Sequence, residues 1–276
     1  MKFISRLLVL LIFFTFNSCS KDDKKISIIK ENNQEDEMIA AYREGVKTLE
    51  EGDAFYAAKK FLEAEMVFPQ SEWAAKSALM AAYSYYLQNY YFDAILNLER
   101  FFETYPKDKS VAYAHYLLAM CYFEKIEGEK RDLKSLIKAK DQFTILIEKY
   151  PNTDLALDSM FKIDLLNDIL AAKEMYIGRH YIKKEKWIAA INRFKIVLED
   201  YETTVFSEEA IHRLVEIHYK IGLEDEAKKY AMLLGYNYLS GEWYKKSYKI
   251  FDKQYEIQKI KKDKGGLIKK FKKLFD

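Results

Sequence analysis

Residues 171–203, AAKEMYIGRHYIKKEKWIAAINRFKIVLEDYET, spell out two helices and the tight bend between them. Small residues at Gly178 and Ala190 alternate with large ones at Tyr181, Phe194 and Val197. Small side chains let two helices approach, and a ring then fills the space left between them. The pattern recurs along the chain. Aligning on the small residue of the second helix gives Ala57, Ala94, Ala139, Ala190 and Ala227, with the large partner four residues later at Phe61, Leu98, Phe143 and Phe194. The fifth pair, Ala227 and Ala231, lacks its large member.

This small-and-large alternation matches a tetratricopeptide hairpin, which cannot bury its apolar face alone and therefore comes in stacks with a period of about 34 residues. A proline follows twelve residues after the alanine at Pro69, Pro106 and Pro151, where the ring forbids continuation of the helix. Glu202 takes that place in the fourth unit. Successive alanines are 37, 45, 51 and 37 residues apart, so the third and fourth units carry extra residues. The predicted fold is all-α, a right-handed superhelical solenoid of about five hairpins.

The pattern predicts helices over 35–50, 54–68, 73–87, 91–105, 111–123 and 133–150, with Ser71 able to cap the third of these. A hydrophilic loop, Glu124 to Asp132, holds the extra residues of the third unit. Residues 152–183 contain no proline and one glycine, which reads as a single helix of about 30 residues, about 45 Å long. No stretch alternates in the manner of a β-strand.

Ahead of the repeats, MKFISRLLVLLIFFTFNSC joins a basic head, Lys2 and Arg6, to a ten-residue run, Leu7 to Phe16, apolar but for Thr15, and then to Ser18-Cys19. An apolar run this short does not span a bilayer stably. It reads as a bacterial lipoprotein signal peptide over 1–18, with Phe16 where leucine is usual and Cys19 as the acylated first residue. Ser20, not aspartate, follows, which favours the outer membrane as destination. Residues 19–37 read as a charged tether. The solenoid is expected over 38–239, with N-terminal repeats to 151 and C-terminal repeats from 152. Residues 240–276 read as a basic extension. Without the signal peptide, Cys121 is the remaining cysteine, placed to pack as a small hydrophobe.

Longer ordered matches narrow the reading. Phe68-Pro69, Ser71, Ala74 and Ser77 open the second repeat; Tyr113-Ala114 and Tyr116-Leu117 follow, then Lys173 to Tyr181 and Ala189-Ala190-Ile191-Asn192-Arg193. Over roughly Tyr42 to Leu234 the chain resembles the BamD family, the tetratricopeptide lipoprotein subunit of the β-barrel assembly machine of Gram-negative bacteria. The resemblance implies a non-enzymatic scaffold on the periplasmic face of the outer membrane. Its expected partners are unfolded outer-membrane proteins, a barrel-forming subunit with periplasmic repeat domains, and accessory assembly lipoproteins. It carries no cofactor beyond the lipid on Cys19.

Helical spacing puts Tyr42, Val46 and Leu49 on one face, Leu79, Tyr83 and Tyr86 on the next, and Tyr113, Tyr116, Met120 and Phe123 on a third. Tyrosine offers a flat apolar body with a polar tip, suited to an extended aromatic-rich peptide or, equally, to packing between repeats. The family resemblance tips Tyr42, Tyr83, Tyr86, Tyr113, Tyr116 and Phe123 towards a substrate-peptide groove. It also implies that the C-terminal half docks the barrel-forming subunit, with Arg193 as the expected contact through its planar guanidinium. A second reading is a periplasmic adaptor coordinating envelope or cell-wall synthesis.

Composition excludes much else. Removing Lys2 and Arg6 leaves 43 basic and 43 acidic side chains, so the exported chain is neutral and unsuited to nucleic acid. His115, His180, His212 and His218 lack the spacing of a metal site, and no phosphate-binding or nucleophile motif occurs. Glu174, the acid that a wall hydrolase would use, has no second carboxylate suitably placed on its helix. Residues 257–276 hold eight lysines against Asp263 and Asp276, with Leu267, Ile268, Phe271, Leu274 and Phe275 at helical spacing. That segment suits an anionic lipid surface, a partner or a solvated tail.

Overall fold

The computed structural model describes residues 26–130, 132–239 and 241–251, with side chains from residue 34. The signal peptide, Cys19 and the basic segment 257–276 lie outside the described residues. Among these residues the chain is all helix, in eleven segments. It divides into two compact units after Ala114. No described helix is long and apolar enough to cross a membrane.

The first unit holds α1 (Ile26–Glu50), α2 (Ala54–Val67), α3 (Glu72–Leu87), α4 (Tyr91–Thr104) and the opening residues of α5 (Val111–Phe123). The second holds the rest of α5, then α6 (Lys134–Lys149), α7 (Asp154–Lys183), α8 (Trp187–Asp200), α9 (Ser207–Lys220), α10 (Glu224–Asn237) and α11 (Glu242–Phe251). Consecutive helices from α1 to α4 pack on one another in the first unit and those from α6 to α11 in the second, the arrangement of a helical-hairpin array. The long helix anticipated over 152–183 is α7, 30 residues without interruption.

The small-and-large pairing is the core. Phe61, Leu98, Phe143 and Phe194 are fully buried, as are their alanines. A Cβ on Gly45 would lie 2.9 Å from the Phe61 ring, and one on Gly178 would lie 2.6 Å from Phe194. Both glycines stand twelve residues before their alanine. At that offset the second hairpin has Ala82 with Leu98, and the fifth has Val215 with Ala231, all buried. The fifth hairpin thus places the bulk on the opposite helix, which accounts for the pair that broke the pattern. In the third, the loop displaces the register by eight residues and Ala119 takes the small position, also fully buried.

Turn geometry repeats as well. Gly52, Asn89, Glu185 and Gly222 all have positive φ (89°, 63°, 56° and 84°), each five residues before its alanine. Glycine adopts this left-handed conformation freely, whereas Glu185 occupies it at a steric cost. Helix starts use local acceptors. Asp53 Oδ1 accepts from Tyr56 N at 3.0 Å, and Thr153 Oγ1 accepts from Ala156 N at 3.2 Å. Ser71 occupies the N-cap of α3, but its hydroxyl makes no capping bond, contrary to the sequence expectation. Where Glu202 replaces proline after α8, hydroxyls take the carbonyls: Thr204 Oγ1 donates to Tyr201 O at 2.8 Å and Ser207 Oγ to Glu202 O at 2.6 Å.

Two boundaries differ from expectation. Helix α1 begins at Ile26, inside the stretch read as tether. Helix α11 falls in the stretch read as extension, yet it packs on α9 and α10. Cys121 behaves as anticipated: it is fully buried, and burial pushes its thiol up to about 12.

Gly178→Ala drives a methyl into the Phe194 ring, so it should lower stability by about 2 kcal/mol, as overpacked cores do. Thermal unfolding followed by circular dichroism checks this, and an unchanged midpoint would mean that the ring has room to move.

Candidate functional site: an aromatic cleft and a guanidinium patch

The first unit contains a cleft of about 520 Å³ between the outer faces of α3 and the start of α5. Its α3 wall is Glu72, Trp73, Lys76, Leu79, Met80 and Tyr83, and Asp108, Lys109, Ser110 and Tyr113 close the other side. Residues 73, 76, 80 and 83 fall on one helical face, which is why a single helix supplies most of a wall. Asp108 Oδ1 accepts from Ser110 N at 2.8 Å and so fixes where α5 begins, and with it Tyr113. Burial first, then the neighbouring Tyr83, holds the Tyr113 phenol above its ordinary range, so its tip stays a neutral hydrogen-bonding group.

Tyr42 joins this cleft to the core. Its ring meets Phe61 edge-on at 5.2 Å and Trp73 edge-on at 5.1 Å. The Lys76 ammonium lies 4.6 Å from the centre of the Trp73 ring and 5.4 Å from that of Tyr42. A cation over an aromatic face is held without a carboxylate, so Lys76 brings positive charge to the ring-lined part of the wall. Tyr86 stands apart from the cleft, its ring 5.9 Å from Tyr91.

An ionic knot around one buried carboxylate holds α2 to α4. Glu65, 5% exposed, receives both guanidinium nitrogens of Arg100 at 2.6 and 2.7 Å, and the Tyr105 hydroxyl at 2.8 Å. Burial, together with that bond to Glu65, raises the Tyr105 phenol far above its usual value.

The other two anticipated groove residues belong to the second unit. Tyr116 meets Phe143 edge-on at 6.2 Å and donates its hydroxyl to Asp158 Oδ2 of α7 at 2.8 Å. Phe123 lies 6.3 Å from the same Phe143, with the Lys162 ammonium 4.9 Å from its centre. Tyr83 and Tyr113 are therefore brought together, Tyr42 is linked to them through Trp73, and Tyr116 and Phe123 pack around a hairpin core. Sequence reasoning passed over Trp73, Lys76 and Lys109, although extending the Tyr83 face back along its helix would have reached the first two.

Arg193 lies on α8 and is about a third exposed. Its Nη1 donates to Glu174 Oε2 at 3.0 Å and Oε1 at 3.4 Å, tying α8 to α7. Nε and Nη2 have no partner among the described residues, so one edge of the guanidinium remains available. The same contact accounts for Glu174, which serves as an ion-pair partner. A second network runs beside it: Glu209 accepts from Arg179 at 3.0 Å and from Arg213 at 3.2 Å, and Arg213 also reaches Glu216 at 2.8 Å. Helix α7 additionally exposes Leu157, Phe161 and Leu165, successive turns of one face. No group of three or more potential metal ligands occurs among the described residues.

A family model described as "Outer membrane lipoprotein" matches residues 34–233. The outer membrane protein assembly factor BamD of Caulobacter vibrioides is 40% identical over 234 residues, 85% of this chain and 76% of the relative. The chain belongs to the BamD family. The BamD of Rickettsia prowazekii is 42% identical over 213 residues, 77% of this chain and 85% of that one. The BamD of Neisseria gonorrhoeae is 30% identical over 189 residues, 65% of this chain and 70% of its own length. Like these BamD relatives, the chain is a non-enzymatic protein.

The two kinds of tyrosine separate by stability. Tyr116→Phe should cost about 1 kcal/mol through the lost bond to Asp158, whereas Tyr83→Phe should be neutral within about 0.5 kcal/mol. Thermal melts of the two variants side by side provide the comparison; equal losses would mean that Tyr83 is also a packing residue.

Proposed function

We propose that this protein is an assembly factor for outer-membrane proteins whose first unit receives extended segments of unfolded substrate. The observation that carries this reading is the cleft formed by Trp73, Lys76, Tyr83 and Tyr113, large enough for an aromatic side chain and walled by rings. An aromatic anchor entering such a cleft gains buried area and edge-to-face contacts, while the phenol hydroxyls and Lys76 offer bonds to a peptide backbone. Tyr42 contributes by holding Trp73 upright. Tyr86, Tyr116 and Phe123 act as supports for the surrounding helices.

The second unit docks the barrel-forming subunit, with the available edge of Arg193 taking a partner carboxylate and the exposed α7 face supplying apolar contact. Accessory lipoproteins complete the assembly. Cys19, acylated after removal of residues 1–18, anchors the chain to the periplasmic face of the outer membrane.

Tyr83→Ala combined with Tyr113→Ala should lower photocrosslinking of an unfolded barrel polypeptide about tenfold, the effect of losing one aromatic anchor. Unchanged crosslinking by a variant that keeps its helical circular dichroism would refute the cleft. Arg193→Glu should sharply reduce recovery of the barrel-forming subunit in a mild-detergent pull-down from native envelope. Normal recovery removes Arg193 from the interface, and recovery of wall synthases in place of a barrel protein from the wild-type chain would favour the adaptor reading.

A further inference from the structure

Helix α11 is attached to the second unit by an unusual contact. Of its ten residues only Ser247 is buried. That hydroxyl lies 2.8 Å from Nδ1 of His212, itself 6% exposed in α9. The imidazole also stacks on Trp243 of α11, with ring centres 5.0 Å apart. At the far end the Phe251 ring meets Tyr219 edge-on at 5.5 Å. At the near end the chain enters α11 through Gly241, where a Cβ would run into the Glu208 carboxylate and push it aside.

The charges around His212 oppose a proton there. Arg213 of α9 lies 5.3 Å from the Trp243 ring centre and Lys246 of α11 lies 3.9 Å from it, which sets two cations about the imidazole. Glu209 and Glu216 of α9 pull the other way, but both are engaged by Arg213, and Glu209 by Arg179 of α7 as well. On α11, Glu242 pairs with Lys245 in the open. A charged imidazole would thus sit desolvated and repelled by a nearby guanidinium and ammonium, with one ring nitrogen bonded to Ser247.

We propose that α11 is an acid-released clasp, in which protonation of His212 frees this helix from α9 while the hairpins beneath stay folded. Burial, then Arg213, holds the imidazole down to about 4 in the docked state, against an ordinary value of 6.5. The sign follows from that depression. Docking is at full strength above pH 6.5, where the imidazole is neutral with α11 on or off, and weakens as pH falls towards 4, because the undocked form takes the proton first. The docking equilibrium should fall about tenfold per pH unit across that window, or about two decades in all.

Hydrogen exchange of the intact chain tests this, with rates corrected for the intrinsic effect of pH. Protection of the α11 amides should drop by about two decades between pH 6.5 and 4 while those of α8 remain protected. Constant protection of α11, or loss only together with α8, overturns the proposal. His212→Phe keeps a ring in place without a titrating group and should abolish the dependence; a variant that retains it also overturns the proposal. Should that variant fail to fold, the His212 imidazole titration in the wild-type chain decides by nuclear magnetic resonance. A midpoint well below 6.5 with α11 resonances moving in step supports the clasp, and an ordinary midpoint refutes it.

Discussion

The close approach of paired helices, set by a missing side chain on one and a ring on the other, is the contact on which the remaining structure depends. Gly45 beneath Phe61 and Gly178 beneath Phe194 leave no room even for a methyl group. Once those helices are locked together, their outward faces are fixed in angle and spacing, and residues such as Tyr83 come to lie along a wall. The fifth hairpin shows that the constraint is one of volume: Val215 supplies what Ala231 lacks, and both remain buried. Interiors filled to crystal-like density tolerate such exchanges better than net changes in bulk.

Polar contacts then fix what apolar packing leaves free. Glu65 meets Arg100 and Tyr105 together, so a carboxylate that would be costly to bury alone carries several charge-assisted bonds. The bond of Arg193 to Glu174 does the same between α7 and α8, where one edge of a guanidinium serves the fold. Such pairs add direction, because the guanidinium fork accepts few geometries.

Much of this was legible in the sequence because it follows from spacing. Alanines with their large partners located four of the five hairpins, absent prolines marked α7 as a single rod, and ordered motifs led to the family. The missed elements obey weaker rules. Helix α1 opens on Ile26, Ile28 and Ile29 but runs from Lys30 to Glu37 without an apolar residue, so no helical stripe connects its start to Met38 and periodicity gave no reason to begin it at Ile26. Helix α11 is held by a histidine, a serine and a tryptophan, a combination with no repeat signature. Tyr116 and Phe123 share spacing with Tyr83 but face Phe143, since a helical face seen from sequence does not reveal which neighbour covers it.

The 30 uninterrupted residues of α7 pack on α6 along part of their length and on α8 along the rest. Two hairpins therefore share one axle. A helix about 45 Å long without a proline has no soft joint, and twisting it at one end turns the other. The second unit should accordingly respond to a load as one stiff lever, so that a push on the exposed Leu157 end is felt at the Arg193 end without any loop having to move.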